Sequence, residues 1–218
     1  MNISPLVRHA SIAVTGGIAT GKSRVAAYLA ELSGAGRLDA DAVCRELLRP
    51  DEAGWLALRE GIDPVFFRPD RELDRPLLRE RLFADAALRA RVDALIHPLA
   101  RAAMHHQAEA WLVGRRYSRL VVEVPLLFEA GWQADYRQVV VVTAEPEICI
   151  ARLMQRDGVS RQAAEQAVAA QMPLAEKVRL ADRVIDNSGD WEATRRQIEE
   201  LPPLLWLVPE KKLPPPSR

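Results

Sequence analysis

The chain has 218 residues, of which 49% are hydrophobic, and its 30 basic side chains balance its 30 acidic ones. This balance excludes a global electrostatic field that recruits nucleic acid or an anionic membrane, and it favours small-molecule partners. The sequence contains only two cysteines and no apolar run long enough to span a bilayer. We therefore expect a cytoplasmic protein without disulfides, and neither nucleic acid nor membrane among its partners.

The first predicted strand, residues 10–15, leads into a loop that fits the phosphate-binding pattern G-x-x-x-x-G-K-S/T. In such a loop the backbone N–H groups surround a phosphate, the lysine supplies a mobile positive charge and the serine hydroxyl ligates Mg²⁺. A helix predicted over residues 24–32 directs the partial positive charge of its N-terminus at the same phosphates. The sequence therefore predicts a nucleoside triphosphate site, with Ser23 as the metal ligand, formed by Gly16, Gly17, Ile18, Ala19, Thr20, Gly21, Lys22 and Ser23.

Four further strands are predicted along the chain, with helical stretches between them. They lie at residues 37–39, 120–124, 138–143 and 183–186. The central two are continuous runs of β-branched residues, which is typical of parallel strands covered on both faces. We predict an α/β fold of the P-loop NTPase type, in which helices flank a parallel five-stranded sheet and ligands bind at the carboxyl ends of its strands.

Two helical segments interrupt this core. Residues 51–114 have no strand signal and are too long for one crossover, so they predict a helical insertion that binds a second substrate. Residues 151–181 predict a helical lid broken at Asp157-Gly158. We expect a single domain with a core of residues 1–50, 115–150 and 182–201, followed by a Pro-rich tail, residues 202–218, that is extended or disordered.

Motifs spread from about residue 12 to residue 201 together resemble those of dephospho-CoA kinases. In chain order they are Thr15 to Ser23, Leu38-Asp39-Ala40-Asp41, Leu73-Asp74-Arg75 with Leu78-Arg79, Ile96-His97-Pro98, Val124 to Glu129, Gln155-Arg156-Asp157 and Ile185 to Gly189. The resemblance implies transfer of the γ-phosphate of ATP to the 3′-hydroxyl of the ribose in dephospho-CoA, with Mg²⁺ as cofactor. It also implies that the substrates are the main partners, and we expect a monomer or weak homo-oligomer.

The phosphate loop departs from the family pattern. Family members usually carry Gly and Ser where this chain has Ala19 and Thr20, and commonly Thr where it has Arg24, which we also assign to nucleotide binding. Because left-handed backbone is costly for an alanine, we expect Ala19 to have a negative φ.

Catalytic roles follow from the resemblance and from the loose transition state of phosphoryl transfer, which needs positioning and charge stabilisation. Asp41 is expected to orient the attacking hydroxyl, beside Lys22 and Arg156 as the catalytic cations. Asp39 either binds substrate or caps the next helix. Arg152 and Arg156 lie four apart on one face of the lid and are expected over the triphosphate, although a solvated basic face remains open for Arg156 and is favoured for Arg161.

Other site residues also have a structural alternative. Asn187 and Gly189 match the region that holds adenine, but a turn capping a helix from Asp190 has the same sequence. Arg75 and Arg79 either reach the phosphates of the CoA moiety or solubilise the insertion. His97 is expected at a helix boundary before Pro98, where an ordered structural histidine is commoner than a proton carrier. The expected wall of the acceptor site consists of Pro125, Leu126, Leu127 and Phe128, with Glu129 at the start of a helix.

Two competing functions are weaker. Another P-loop kinase, acting on a small molecule or nucleoside monophosphate, shares the loop but not the Asp-Ala-Asp motif or the insertion. A regulatory GTP-binding switch requires an Asn-Lys-x-Asp motif after a strand, and the sequence has none.

Overall fold

The computed structural model describes residues 3–202 and residue 205. In this part of the chain, five strands form one sheet: β1 (Ser11–Gly16), β2 (Gly36–Asp39), β3 (Leu120–Glu123), β4 (Val139–Thr143) and β5 (Arg183–Asp186). Their order is β2-β3-β1-β4-β5, and the β1–β3, β1–β4 and β4–β5 pairs are parallel. The predicted fold class is confirmed. Each predicted strand boundary is within one residue of the observed one.

Helices connect the strands. They are α1 (Pro5–Ala10), α2 (Lys22–Ser33), α3 (Ala40–Leu47), α4 (Ala53–Gly61), α5 (Arg75–Ala84), α6 (Ala86–Val113), α7 (Pro146–Asp157), α8 (Arg161–Ala169), α9 (Leu174–Leu180) and α10 (Trp191–Glu199). The sequence patterns missed α1 and α4. Within the described ranges, no helix has the length and apolar character needed to cross a membrane.

The sheet is buried because β1, β3 and β4 are apolar along almost their whole length. Val14, Val121 and Val142 pack in one core with residues of α2 and α10. That core also includes Leu205, which is helical and fully buried. The prediction of an extended tail from residue 202 is therefore wrong at Leu205, because an apolar side chain there completes the core. Residues 203–204 and 206–218 of the predicted tail lie outside the described residues.

The chain divides into two compact units. The first comprises Met1–Leu38 and Ala108–Arg218, and the second comprises Asp39–Gln107. The second unit thus begins earlier than the insertion at residue 51 that we expected. It has its own apolar core, in which Trp55, Leu58 and Phe66 pack with residues of α5 and α6.

Helix α6 continues through the predicted boundary at His97-Pro98, so that boundary is wrong. A proline removes one helical hydrogen bond but does not have to end a helix. An apolar stripe persists on both sides of Pro98 and stabilises the continuous helix. Its buried members recur every four residues: Val92, Ile96, Ala100, Met104, Ala108 and Leu112.

The predicted lid contains two breaks where we expected one. Gly158 adopts a left-handed conformation and ends α7, as predicted. A second interruption separates α8 from α9 at residues 170–173, where Pro173 precedes the first residue of α9. Because the residue before a proline disfavours helical geometry, this second break was readable from the sequence.

Candidate active site at the phosphate loop

The loop between β1 and α2 runs so close to its neighbours that two of its glycines are required. A Cβ on Gly16 would collide with the carbonyl oxygen of Val142, and a Cβ on Gly21 would collide with the side-chain amide of Asn187. Gly21 also has φ of 90° and is the N-cap residue of α2. Because a glycine offers no capping side chain, the first N–H groups of α2 are left for an anion.

Ala19 adopts a φ of 60°, so the expectation of a negative φ is wrong. The loop must reverse direction between Gly17 and Gly21, and it does so with left-handed backbone at this position. The Ala19 methyl packs with Ile18 against a small cluster of α7 and α8 residues, Ile150, Leu153 and Ala164. Apolar contact therefore offsets part of the cost of the strained backbone.

The loop is held by hydrogen bonds within it and by hydrogen bonds from the side chain of Asn187. The Thr20 hydroxyl donates to the Gly17 carbonyl over 3.0 Å, and the Lys22 ammonium lies 3.5 Å from the same oxygen. The buried Asn187 amide donates to the Thr20 carbonyl over 2.8 Å. Its Oδ1 accepts from the Thr194 hydroxyl over 2.9 Å. The side chain of Asn187 thus braces the loop.

The turn that contains Asn187 ends at α10. The side chain of Asp190, and not that of Asn187, caps this helix by accepting from the N–H of Ala193 over 2.7 Å. Gly189 is exposed immediately before the cap. The turn therefore leads into a helix at Asp190, as the structural alternative expected, although the capping side chain is that of Asp190. The contact of Asn187 and Gly189 with adenine stays a prediction.

A cavity of about 310 Å³ opens beside the loop, and its wall joins the loop to α7. It is lined by Ala19, Gly21, Lys22, Ser23, Arg152, Gln155 and Arg156. The Arg152 guanidinium donates to the Asn187 carbonyl over 2.9 Å, and its other terminal nitrogen, Nη1, is buried with no hydrogen-bond partner. Three cationic side chains and a helix N-terminus therefore meet in one cavity, which suits a polyanion such as a triphosphate.

The lid arginines have different surroundings. Arg156 makes a two-pronged contact with the adjacent Asp157, over 2.7 and 3.0 Å, and hydrogen bonding to that carboxylate raises the pKa of Arg156. Arg161 is exposed, pairs with Glu147 and Glu165, and is absent from the cavity wall. The surface reading favoured for Arg161 agrees with this placement.

Arg24 stacks on an aromatic ring. Its guanidinium lies 3.7 Å from the centre of the Trp191 ring, and Tyr28 meets the same ring edge-on at 5.8 Å. Arg24 is the third residue of α2, and stacking over the face of an indole holds its guanidinium in a defined orientation. Its predicted contact with nucleotide stays a prediction.

Glu123, at the end of β3, is a site residue that the sequence reasoning missed. It is 3% exposed, and its carboxylate accepts from the Ser23 hydroxyl over 2.5 Å and from Arg37 over 2.7 Å. An acidic residue that ends an apolar strand beside a phosphate loop was the available signal. Ser23 and Glu123 together offer two hard oxygen donors, the type of ligand that Mg²⁺ prefers.

The segment after β3, predicted as the acceptor wall, is a turn. Leu126 is exposed, whereas Leu127 and Phe128 are buried and belong to the core. The carbonyl of Pro125 accepts from Thr15 Oγ1 over 3.3 Å. Glu129 does not start a helix, and it pairs instead with the ammonium of Lys177 at 2.8 Å. Of the predicted wall, the structure leaves Leu126 and the half-buried Pro125 accessible.

In the second unit, Asp39 caps α3. Its Oδ1 accepts from the N–H of Asp41 over 2.9 Å and from the N–H of Ala42 over 3.4 Å. Asp41 is exposed in the first turn of the same helix. Burial, and then the charges of Asp41 and Asp39, raise the pKa of the Cys44 thiol to about 11. Asp39 has a clear structural task, and its contact with substrate stays a prediction.

The remaining predicted residues of the second unit lie on helices. Arg75 and Arg79 share an exposed face of α5, and Arg75 donates to the carbonyl of Arg45 over 3.3 Å. His97 lies 3.5 Å from Asp93, one turn earlier on α6. This contact within one helix agrees with the structural reading that we favoured for His97.

Comparison with known proteins identifies the family. The family model described as dephospho-CoA kinase matches residues 10–193, from β1 to α10. The chain belongs to the dephospho-CoA kinase family. A dephospho-CoA kinase of Symbiobacterium thermophilum is 43% identical to it over 86% of this chain and 78% of the relative.

Two solved structures agree with this family assignment. A protein from Thermus thermophilus superposes with a TM-score of 0.73 and 31% identity, over 89% of this chain and 96% of the other. A dephospho-CoA kinase from Campylobacter jejuni superposes with a TM-score of 0.61 and 26% identity, over 88% and 94% of the two chains. The family is one of kinases, so the phosphate loop belongs to a phosphotransferase.

Proposed function

We propose that this chain transfers the γ-phosphate of ATP, as its magnesium complex, to the 3′-hydroxyl of the ribose in dephospho-CoA and so produces coenzyme A. The observation that carries the proposal is the cavity at the phosphate loop, where Lys22, Arg152 and Arg156 converge in a chain of the dephospho-CoA kinase family. Their positive charges suit the γ-phosphate and its neighbours, because the charge on the transferring group spreads over its equatorial oxygens.

Magnesium would be held by Ser23, with Glu123 either as a direct ligand or through water. The pair fits the ion because a hydroxyl and a carboxylate lie 2.5 Å apart at the N-terminus of α2. In such sites Mg²⁺ uses one or two protein oxygens together with substrate phosphates. Bound there, the ion supplies neutralisation of charge on the β- and γ-phosphates. Arg37, at 2.7 Å, holds the Glu123 carboxylate in place.

Each remaining role is carried by a residue of this protein. Asp41 orients the acceptor hydroxyl and takes its proton, and Lys22 and Arg156 stabilise charge that develops during transfer. Arg75 and Arg79 contact phosphates of the CoA moiety, and Leu126 with Pro125 forms the accessible part of the acceptor wall. Arg24, Arg152, Asn187 and Gly189 line the nucleotide.

The proposal includes the cellular compartment and the oligomeric state of the enzyme. The two cysteines form no disulfide, and Cys149 is buried, which supports a reducing compartment such as the cytoplasm. We propose a monomer or weak homo-oligomer whose partners are its substrates. Size-exclusion chromatography with light scattering, over a range of protein concentrations, measures the assembly directly.

The test of function is a coupled ADP-release assay with MgATP and a panel of acceptors: dephospho-CoA, adenosine, AMP, CMP and shikimate. We expect efficient turnover only with dephospho-CoA, because its length is needed to place the 3′-hydroxyl. The assignment fails if AMP or shikimate is phosphorylated with comparable efficiency. Detection of coenzyme A by mass spectrometry distinguishes transfer from simple ATP hydrolysis.

A further inference from the structure

Residues 171–177, between α8 and the middle of α9, contact two loops at once. We call these residues the return segment, because they lead the chain from the lid back to the sheet. One of the two loops is the phosphate loop, and the other is the turn Pro125–Glu129, which we call the acceptor loop. Neither contact was expected from the sequence.

The first contact reaches the tip of the phosphate loop. Oε1 of Gln171 accepts from the backbone N–H of Ile18 over 2.7 Å. Leu174 lies beside the same loop, since its Cδ1 is 3.8 Å from the position that a Cβ on Gly17 would occupy. This hydrogen bond from a loop N–H to the side-chain oxygen of Gln171 restrains the backbone of the loop at Ile18.

The second contact reaches the acceptor loop and involves a buried charge. Lys177 is 0% exposed, and its ammonium lies 2.8 Å from Glu129 Oε1 and 3.4 Å from the Pro125 carbonyl oxygen. The N–H of Met172 donates to the same carboxylate oxygen over 3.2 Å. A fully buried ammonium is costly unless it is paired and hydrogen-bonded, so these contacts resist displacement of the acceptor loop.

We propose that Gln171 and Lys177 are positioning residues that hold the phosphate loop and the acceptor loop in one fixed arrangement. The proposal rests on the function given above, in which one loop carries the transferring phosphate and the other contacts the acceptor. Phosphoryl transfer depends on in-line placement of donor and acceptor, and a displacement of 1 Å can cost about a hundredfold in rate. The return segment fixes that placement from the side of the lid.

The alternative is that both residues only stabilise the fold, each at its own loop. Hydrogen–deuterium exchange separates the two readings, because it reports on each loop and needs no acceptor. The variants are Gln171→Leu and the pair Lys177→Met with Glu129→Gln, which removes the ion pair without leaving one buried charge unpaired. Gln166→Leu on α8 and Arg179→Met on α9 change exposed side chains and are the matched controls.

The expected result is a crossed effect. Gln171→Leu should accelerate exchange in residues 125–130 by about threefold or more, and the Lys177→Met/Glu129→Gln pair should do the same in residues 16–20. The controls should leave both loops unchanged. If each variant accelerates exchange only in the loop that it contacts, the proposal is overturned. Each variant tests the effect of one contact on the opposite loop. If one variant does not fold, the other still tests the proposal.

Kinetics provide the second readout. Both variants should lower kcat by about tenfold or more, while the dissociation constant of MgATP, measured directly, changes by less than about threefold. Combining all three substitutions should lower kcat by less than the product of the separate losses, because both act through one segment. A lower melting temperature with an unchanged kcat overturns the proposal. Absence of coenzyme A production by the unchanged protein instead rejects the proposed function, and the exchange data still decide the role of the segment.

Discussion

At the scale of single residues, Ala19 shows how the phosphate loop tolerates strain. Its left-handed backbone costs an alanine about 1–2 kcal/mol relative to ordinary helical geometry. Its methyl group packs against the cluster formed by α7 and α8, so the same residue that strains the loop also ties it to the lid. A glycine at this position would lose that contact but would adopt the conformation freely.

This balance predicts that glycine is tolerated better at Ala19 than at an ordinary helical alanine. Ala19→Gly should change the free energy of unfolding by less than about 1 kcal/mol, because relief of strain offsets the lost methyl contact. Ala27→Gly, at an exposed position inside α2, should cost about 1 kcal/mol. Urea denaturation of the two variants measures the difference. Equal destabilisation by both would contradict the strain that the φ of Ala19 implies.

The Ser23–Glu123 pair predicts a specific magnesium phenotype. Glu123→Gln keeps the size of the side chain but removes its charge, so the Mg²⁺ concentration for half-maximal activity should rise by about tenfold or more. Glu31→Gln, an exposed change on α2, is the matched control. Activity is measured against free Mg²⁺ at saturating ATP. Because the substitution also weakens the contact of residue 123 with Arg37, thermal unfolding checks that the variant still folds. An unchanged Mg²⁺ requirement in a folded variant would remove Glu123 from the metal site.

At the scale of elements, the connection from β5 to α10 stabilises the phosphate loop through hydrogen bonds. Asn187 contacts Thr20 through its side chain and Arg152 through its carbonyl, so one residue links the loop, α7 and α10. The strand–loop–helix order around the loop predicted where the phosphates bind. It could not predict this support, because the two contacting residues are 167 positions apart in the chain.

Bracing and adenine contact make different predictions for Asn187. If it mainly braces the loop, Asn187→Ala should weaken MgATP and MgGTP binding by the same factor of about tenfold, because the Thr20 carbonyl is left buried and unpaired. Thr194→Val should act in the same direction with a smaller effect. Calorimetric titration of both nucleotides provides the ratio. A loss confined to ATP would mean that Asn187 reads the adenine ring.

At the scale of the whole molecule, the sequence determines the sheet and the phosphate loop more clearly than the site around them. Apolar runs of β-branched residues predicted the strands because burial on both faces requires them. Contacts between distant residues left no local pattern: Glu123 meets Arg37 and Ser23 across 86 and 100 residues, and Lys177 reaches Pro125 across 52. The helix boundary expected at Pro98 was wrong for a similar reason. Packing along α6 outweighed the local preference of a proline against helical geometry.

The two compact units carry different parts of the predicted machinery. The phosphate loop, Arg152 and Arg156 belong to the first unit, whereas Asp41, Arg75 and Arg79 belong to the second. Since the cavity at the phosphate loop is lined only by residues of the first unit, a substitution in the second unit is expected to leave nucleotide binding unchanged. Asp41 offers the clearest case.

Asp41→Ala should lower the rate of single-turnover phosphoryl transfer by about 10²–10⁴-fold, the usual contribution of a positioned general base. Asp41→Asn should retain more activity, because its carbonyl oxygen can still accept a hydrogen bond from the ribose hydroxyl and orientation matters more than basicity in a loose transition state. The dissociation constant of MgATP should barely change in either variant. Glu60→Gln, an exposed change on α4 in the same unit, is the matched control, and its transfer should stay near the normal rate. Normal transfer by Asp41→Ala would dismiss Asp41 as the catalytic group, and an equal loss of MgATP binding would make it part of the nucleotide site.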